Sequence, residues 1–369
     1  MIYVALSIVM AVLFLIENII YVNDRVKKIT FGTLLIIFLL ISSIRWETGT
    51  DWCVYKEYFD NINSIKSSWV GDFEIGFRLY VYILRRISSS FVFYNAINAI
   101  IVAFCEYQFI VFYSMNNKSL SKQKNDALYL YSCPVSILAC LWFLYFADIF
   151  PVRATLAMCI LLVASKYAIN GNLKQFLLLI ILATLIQRVS IIYLVVYPLY
   201  NSKKNFWVKF YVYAPVLSIF FYFIGKPFLS TLIYIMPGTI SYKLNYYINE
   251  NPEFYGKLGI VNYFLLYFLF LSLYIKYYSE NKMYLFLFNV YSVGMIPYVI
   301  GVTIAGQFIR ASYVFMAAVI FLIPKIIQMF KNISVRIIVL LITILYLFMR
   351  LYSNLHSYPV YLPFKTIWS

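Results

Sequence analysis

The most constraining feature of this chain is a succession of apolar runs, each near the length needed to cross a bilayer, broken by short charged segments. A helix takes roughly 17–25 apolar residues to span about 30 Å of hydrocarbon. Candidate spans lie at 2–22, 30–44, 91–113, 127–147, 152–169, 207–223, 258–276, 283–304, 309–330 and 334–350. Composition removes the alternatives. Of 369 residues, 64% are apolar and 12% charged, against about 45–50% and ~25% in soluble domains; the mean hydropathy is +0.83. Hiding that much apolar surface in a water-soluble core needs a far longer chain, and disorder requires low hydrophobicity. Only helices and closed barrels satisfy their backbone in lipid. Runs of this length predict an all-α polytopic integral membrane protein, with 1–369 forming a single polytopic domain.

The first run, Met1 to Tyr21, has no basic segment before it and no small-residue cleavage site, so it reads as a retained helix rather than a signal peptide. Arg25, Lys27 and Lys28 follow it, and the excess of Lys and Arg on cytoplasmic loops then puts the N-terminus outside. The ambiguous stretch is 174–200, either one long helix or two short ones meeting at Gln187–Arg188. Two short passes keep Lys203, Lys204, Lys276 and Lys282 inside with Lys118, Lys122, Lys124, Lys174, Lys209, Lys331 and Arg336. A single pass turns the 203–204 and 276–282 clusters outward. The expectation is therefore about twelve transmembrane helices, some short or re-entrant and buried among the others, with both termini outside. Two long loops, 45–90 and 224–257, face outward with the tail 351–369. Within the first, Arg78, Arg85 and Arg86 interleave with apolar residues over Phe73–Ser88, the pattern of an amphipathic interfacial helix.

A net charge of +16 would suggest nucleic acid in a soluble protein, but no dense basic run or RNA-binding aromatic motif is present. Five cysteines without a C-x-x-C pair and a lone His356 predict neither a disulfide framework nor a metal site, and no cofactor is implied. The arginines are more informative. In this topology eight of the ten fall outside, namely Arg45, Arg78, Arg85, Arg86, Arg153, Arg188, Arg310 and Arg350, against the positive-inside bias. A lysine serves topology as a point charge, whereas a guanidinium fork grips phosphate or carboxylate bidentately. Arg45, Arg153, Arg188 and Arg310 stand at span ends, where a charge at membrane depth costs up to ~2.5–3.5 kcal/mol. Snorkelling to headgroups accounts for any one of them; an anionic ligand at the outer interface accounts for the set.

The long loop opens with Arg45-Trp46-Glu47-Thr48-Gly49-Thr50-Asp51-Trp52, followed by Tyr55, Tyr58 and Phe59 and then Glu74-Ile75-Gly76-Phe77. Carboxylates beside aromatic faces suit sugars, which present hydroxyls at an edge and C–H groups on a face. The plainer reading is a solvated loop turning at Gly49. The aromatic content, 21% with 37 Tyr, decides nothing by itself, because Tyr also belongs at bilayer interfaces.

In order and spacing these residues resemble a family. The string Arg45-x3-Gly49-Thr50-Asp51-Trp52-x2-Tyr55-x2-Tyr58-Phe59, with Glu74-x-Gly76-Phe77 after it, is similar to the opening signature of EpsG-like and Wzy-type polysaccharide polymerases. Arg153-x2-Leu156-Ala157 resembles the family's arginine-led span. Phe176…Ala183-x3-Gln187-Arg188-x-Ser190 resembles its short hydrophobic pair around a polar turn, and Arg310-x2-Tyr313-x-Phe315 and Leu362-Pro363-Phe364-Lys365 resemble later blocks. Phe364 stands where Tyr is usual, and Gln187 where the family carries His. An amide is not basic enough to accept a proton, which leaves Gln187 a ligand-binding part.

The resemblance implies a glycosyltransferase of the bacterial inner membrane that joins oligosaccharide repeat units at the periplasmic face, as in O-antigen polymerisation. Its donor would be an undecaprenyl-pyrophosphate-linked oligosaccharide, with the prenyl tail in the lipid bilayer and a chain-length regulator as a candidate partner. Arg153, Arg188 and Arg310, joined by Arg45, would grip the pyrophosphate and stabilise the leaving group without a metal. Asp51 is the first candidate to accept the proton of the attacking hydroxyl, ahead of Glu47 and Glu74. His356, the one side chain titrating near neutrality, stands in reserve. Trp52, Tyr55, Gln187 and Tyr313 complete the expected substrate contacts. Two other readings share features. A ligase moving glycan from the same carrier onto lipid A-core has the same donor chemistry. A flippase for the lipid-linked unit suits the number of spans, but it would place charge near the bilayer midplane, where Glu106 and Glu17 are the acids available.

Overall fold

Where the sequence runs apolar, the chain is helical. The computed structural model describes residues 2–20, 22–49, 51–65, 73–121, 133–145, 152–201, 209–235, 241–242, 245, 257–279, 281–304, 307–330, 332–357 and 359–368. In order these form α1 (Ile2–Ile19), α2 (Asp24–Ser43), β1 (Arg45–Trp46), α3 (Trp52–Asn61), α4 (Ile75–Ile87), α5 (Phe91–Ser121), α6 (Pro134–Tyr145), α7 (Arg153–Ile169) and α8 (Leu173–Ile186). A 3-10 helix (Arg188–Val195) leads into α9 (Val196–Asn201), followed by α10 (Phe210–Ile235), α11 (Lys257–Leu273), α12 (Lys282–Thr303), α13 (Gln307–Met316), α14 (Val319–Gln328), α15 (Ile333–Ser357) and β2 (Lys365–Thr366).

Among the described residues six helices are long and apolar enough to cross a membrane: Ile2–Ile19, Asp24–Ser43, Phe91–Ser114, Gly259–Lys276, Lys282–Thr303 and Ile333–His356. Phe308–Met316 and Val319–Gln328, bent by 41°, make a seventh when taken together. This is a multi-pass, all-α membrane protein. Several of the other expected crossings are shorter apolar helices, Pro134–Tyr145, Leu173–Ile186, Arg188–Tyr200 and Phe210–Gly225. A helix that short needs protein around its ends. In α6 every residue from Pro134 to Phe143 is buried. The Glu17 carboxylate of α1 accepts from the Ser136 N–H and Oγ, both at 2.6 Å, and from the Val135 N–H at 3.3 Å. Those are the donors that a helix start leaves open, so Glu17 is committed to capping.

The chain forms two compact units where the sequence predicts one domain. The first comprises Met1–Lys166, Leu177–Arg188 and Ile323–Ser369; the second comprises Tyr167–Phe176 and Val189–Leu322. In the first, α6 is the buried centre, packed by α1, α2 and α15, with α5 against α2. In the second, α12 is the centre, packed by α9, α10, α11 and α13.

The stretch 174–200 divides at the expected place, with α8 ending at Ile186 and the 3-10 helix starting at Arg188. Two loops differ from expectation. Helix α10 continues through Pro227 to Ile235, because the sequence stays apolar there and a helix keeps its backbone satisfied away from water. The first part of the expected loop 224–257 is therefore helical. Residues 236–240, 243–244 and 246–256 lie outside the described residues, as do Thr50, Lys122, Lys124, Lys203, Lys204, Lys331 and the start of the expected span at 127–132. The expected loop 45–90 holds two helices, α3 and α4. Helix α4 is the amphipathic helix of the sequence pattern, but apolar on two faces. Phe77, Val81 and Leu84 are buried in a cluster with Trp52, Tyr55, Phe59 and Tyr94. Ile75, Leu79, Ile83 and Ile87 are exposed, a stripe suited to a lipid surface.

Candidate functional site

Glu74 is the N-cap residue of α4, yet its side chain makes no cap hydrogen bond. Both oxygens are used elsewhere. Oε2 accepts from Arg153 Nη1 at 2.5 Å. Oε1 accepts the backbone N–H of Arg188 at 3.1 Å, with Arg188 Nε 3.9 Å away. One carboxylate thus joins residues 79 and 114 positions further along the chain. Gly76 makes this reach feasible. A Cβ there would stand 2.6 Å from Leu185 Cβ and 2.8 Å from the Leu185 carbonyl oxygen, so only glycine lets the first turn of α4 close on the end of α8.

Each of the two arginines is the first residue of a helix, Arg153 of α7 and Arg188 of the 3-10 helix. A cation in that position opposes the helix dipole by about 0.3–1 kcal/mol at an exposed site, and Glu74 offsets this for both. The sum over the three side chains is still positive. That surplus, beside two helix starts, favours an anion. The Arg153 guanidinium also lies over the rings of Phe73 (5.1 Å to the centroid) and Phe77 (6.0 Å), within cation–π range. Its side chain is 19% exposed, and its Nε is buried with no hydrogen-bond partner. The Arg188 side chain is 75% exposed. Next to it, Gln187 closes α8 through its N–H to the Ala183 carbonyl at 2.8 Å, while its amide oxygen is buried without a hydrogen-bond partner. Buried acceptors left open are uncommon.

Arg45 is held differently. It is 3% exposed, in the strand β1 that pairs antiparallel with β2 of the tail, Arg45 opposite Thr366 and Trp46 opposite Lys365. The Lys365 N–H donates to Thr48 Oγ1 at 3.1 Å, the Gly49 N–H donates to the Val360 carbonyl at 3.3 Å, and Lys365 Nζ reaches Glu47 Oε2 at 2.8 Å. Gly49 takes φ +110°, and a Cβ there would lie 3.4 Å from Arg45 Nη1 and 3.5 Å from the Tyr361 ring. Burial pulls the Arg45 guanidinium down to about 10, opposed by Tyr361, Tyr94 and Tyr3. It stays protonated at neutral pH. The Tyr94 hydroxyl, buried in the same unit, hydrogen-bonds to neither Arg45 nor Arg153.

The other expected site residues fall as follows. Asp51 precedes α3, is exposed, and makes no cap hydrogen bond. Glu47, at φ 41°, is engaged by Lys365. Trp52 packs on Trp46 (4.9 Å) and Phe91 (5.4 Å), and Tyr55 on Phe73 and Phe77 (both 5.7 Å). Both are buried, so their rings build the core under the site and leave little face for a sugar. The cause is spacing: on α3, Trp52, Tyr55 and Phe59 share one side, and that side packs on α4 and α5. His356 is exposed in the last turn of α15, with its Nδ1 3.2 Å from the Tyr352 carbonyl. Arg310 and Tyr313 belong to the second unit, both exposed and three residues apart on α13. The first unit therefore brings Arg153, Arg188 and Glu74 together, while Arg45 is held in the β1–β2 pair.

Sequence reading passes over Tyr94, Asn95 and Asn98. Asn95 Nδ2 reaches the Arg45 carbonyl at 3.5 Å, and Asn98 Oδ1 accepts from Tyr80 at 2.6 Å. The available signal was two amides in the first turns of an apolar span, where polar side chains are costly.

The profile of the EpsG family matches residues 28–366. No curated protein and no solved structure gives a significant match.

Proposed function

This chain belongs to the EpsG family of polysaccharide polymerase-like membrane proteins, and from that premise we propose that it joins oligosaccharide repeat units drawn from an undecaprenyl-pyrophosphate-linked donor at the periplasmic face of the bacterial inner membrane. The observation that carries the proposal is the Glu74 bridge, which holds Arg153 and Arg188 at one carboxylate. A hydroxyl of the acceptor unit attacks the anomeric carbon of the donor. The C–O bond to the diphosphate breaks, undecaprenyl pyrophosphate leaves with the bonding pair, and the hydroxyl proton passes to a carboxylate. Charge grows on the leaving oxygens, where the exposed Arg188 fork and the remaining Arg153 donors stabilise it. Such donors contribute about 10²–10³-fold each.

Of the three candidate bases, Glu47 is paired with Lys365 and Glu74 with two arginines. Asp51, exposed and making no cap bond, is the one left to take the proton. Arg310 and Tyr313, in the second unit, rest as donor contacts on their place in the order of family blocks alone. The exposed apolar stripe of α4 offers a surface to the prenyl chain.

Replacing Arg153 with Ala tests the reading. The variant is expected to reach the membrane while polymer disappears and glycan carrying a single repeat accumulates. Wild-type chain lengths would overturn the assignment, and loss of even the single-repeat product would point to a ligase.

A further inference from the structure

We infer that the segment Glu74-Ile75-Gly76-Phe77 is a latch that sets both arginines for the diphosphate, with Glu74 a positioning residue and not the proton acceptor. The inference rests on the reading of Arg153 and Arg188 as diphosphate ligands. Three observations carry it. Glu74 gives up its local role, leaving the start of α4 without a side-chain cap, and spends both oxygens on distant partners.

The way it holds them is selective. It takes Arg188 by the backbone N–H at 3.1 Å, while the guanidinium, 3.9 Å off at Nε, stays 75% exposed. The residue is fixed without consuming the fork that a phosphate needs. It takes Arg153 by Nη1 alone, which leaves Nη2 of the same guanidinium for a ligand, while Nε is buried. The rest of the segment serves the same end. Gly76 admits the Leu185 end of α8, three residues before Arg188. Phe77 is fully buried and lies under the Arg153 guanidinium. A carboxylate 11% exposed and bound to two cationic residues is also poorly placed to collect a proton from a sugar.

The sign of one substitution separates the latch from a bystander charge. Neutralising a carboxylate beside an anion site should tighten anion binding by charge alone. A latch requires the opposite. With full-length protein in lipid nanodiscs and inorganic pyrophosphate as the probe, Glu74→Gln is expected to weaken binding about tenfold or more, since small misplacements of positioning groups cost up to about 10²-fold. Glu74→Asp keeps the charge but has a stem too short to hold both partners, and it should weaken binding as well. Should Glu74→Gln fail to fold, Glu74→Asp carries the test alone. Unchanged or tighter binding in Glu74→Gln, or wild-type affinity in Glu74→Asp, overturns the latch. A proton acceptor at Glu74 would show as lost turnover with pyrophosphate affinity retained in Glu74→Gln, which also overturns it. Unchanged affinity in Arg153→Ala overturns the underlying diphosphate reading instead.

Discussion

Arg45 and Arg188 belong to the same ordered set of blocks and both stand just past the end of an apolar helix, yet the fold treats them in opposite ways. Arg45 is sealed under the β1–β2 clasp at 3% exposure, its guanidinium drawn down to about 10 by burial. Arg188 is pinned by its backbone and leaves its side chain 75% exposed. A buried guanidinium is out of a ligand's reach. A held but uncovered one can organise a ligand. Guanidinium count is therefore a poor guide to a binding site; what matters is whether the fork stays open to a ligand.

That contrast can be broken in several places. The largest effect is expected at Arg188→Ala, which should lower polymerisation about 10²-fold or more while leaving the melting temperature in detergent nearly unchanged. Equal losses of activity and stability would erase the distinction. Arg45→Met should do the reverse, costing about 0.5–3 kcal/mol of stability because it repacks a site only 3% exposed beneath the strand pair, as read by thermal unfolding of the purified protein. Gly49→Ala puts a Cβ on a φ of +110° against Arg45 and Tyr361; about 1–2 kcal/mol of destabilisation is expected, with activity lost only in proportion to folded protein. The smallest effect belongs to Lys365→Ala. The pair with Glu47 is 45% and 50% exposed on its two sides, and exposed pairs contribute about 0–1 kcal/mol, so neither melting nor chain length should move detectably.

The sequence announced some of this and hid the rest for identifiable reasons. The break in 174–200 was legible because Gln187 and Arg188 interrupt an otherwise apolar run, and the helix ends within a residue of them. The aromatic residues of 52–59 were legible as a group, but not the side they face; packing of α3 on α4 and α5 turned Trp52 and Tyr55 inward. The two-residue strands could not be read, since Arg45 and Thr366 lie at opposite ends of the chain and strands that short carry no periodicity. Glu74 was visible as a carboxylate near a glycine. Its partners lie 79 and 114 residues away, a relation that spacing does not encode, so the sequence offers it as a substrate contact and a lesser candidate base but not as a bridge.

The most direct measurement of the central claim is the affinity of the full-length protein in nanodiscs for undecaprenyl pyrophosphate, compared among wild type, Arg188→Ala and Arg45→Lys. Arg188→Ala is expected to bind at least about tenfold more weakly, the scale of a lost charge-assisted contact, and Arg45→Lys to bind as wild type once normalised to folded protein. Equal affinity in wild type and Arg188→Ala would contradict it.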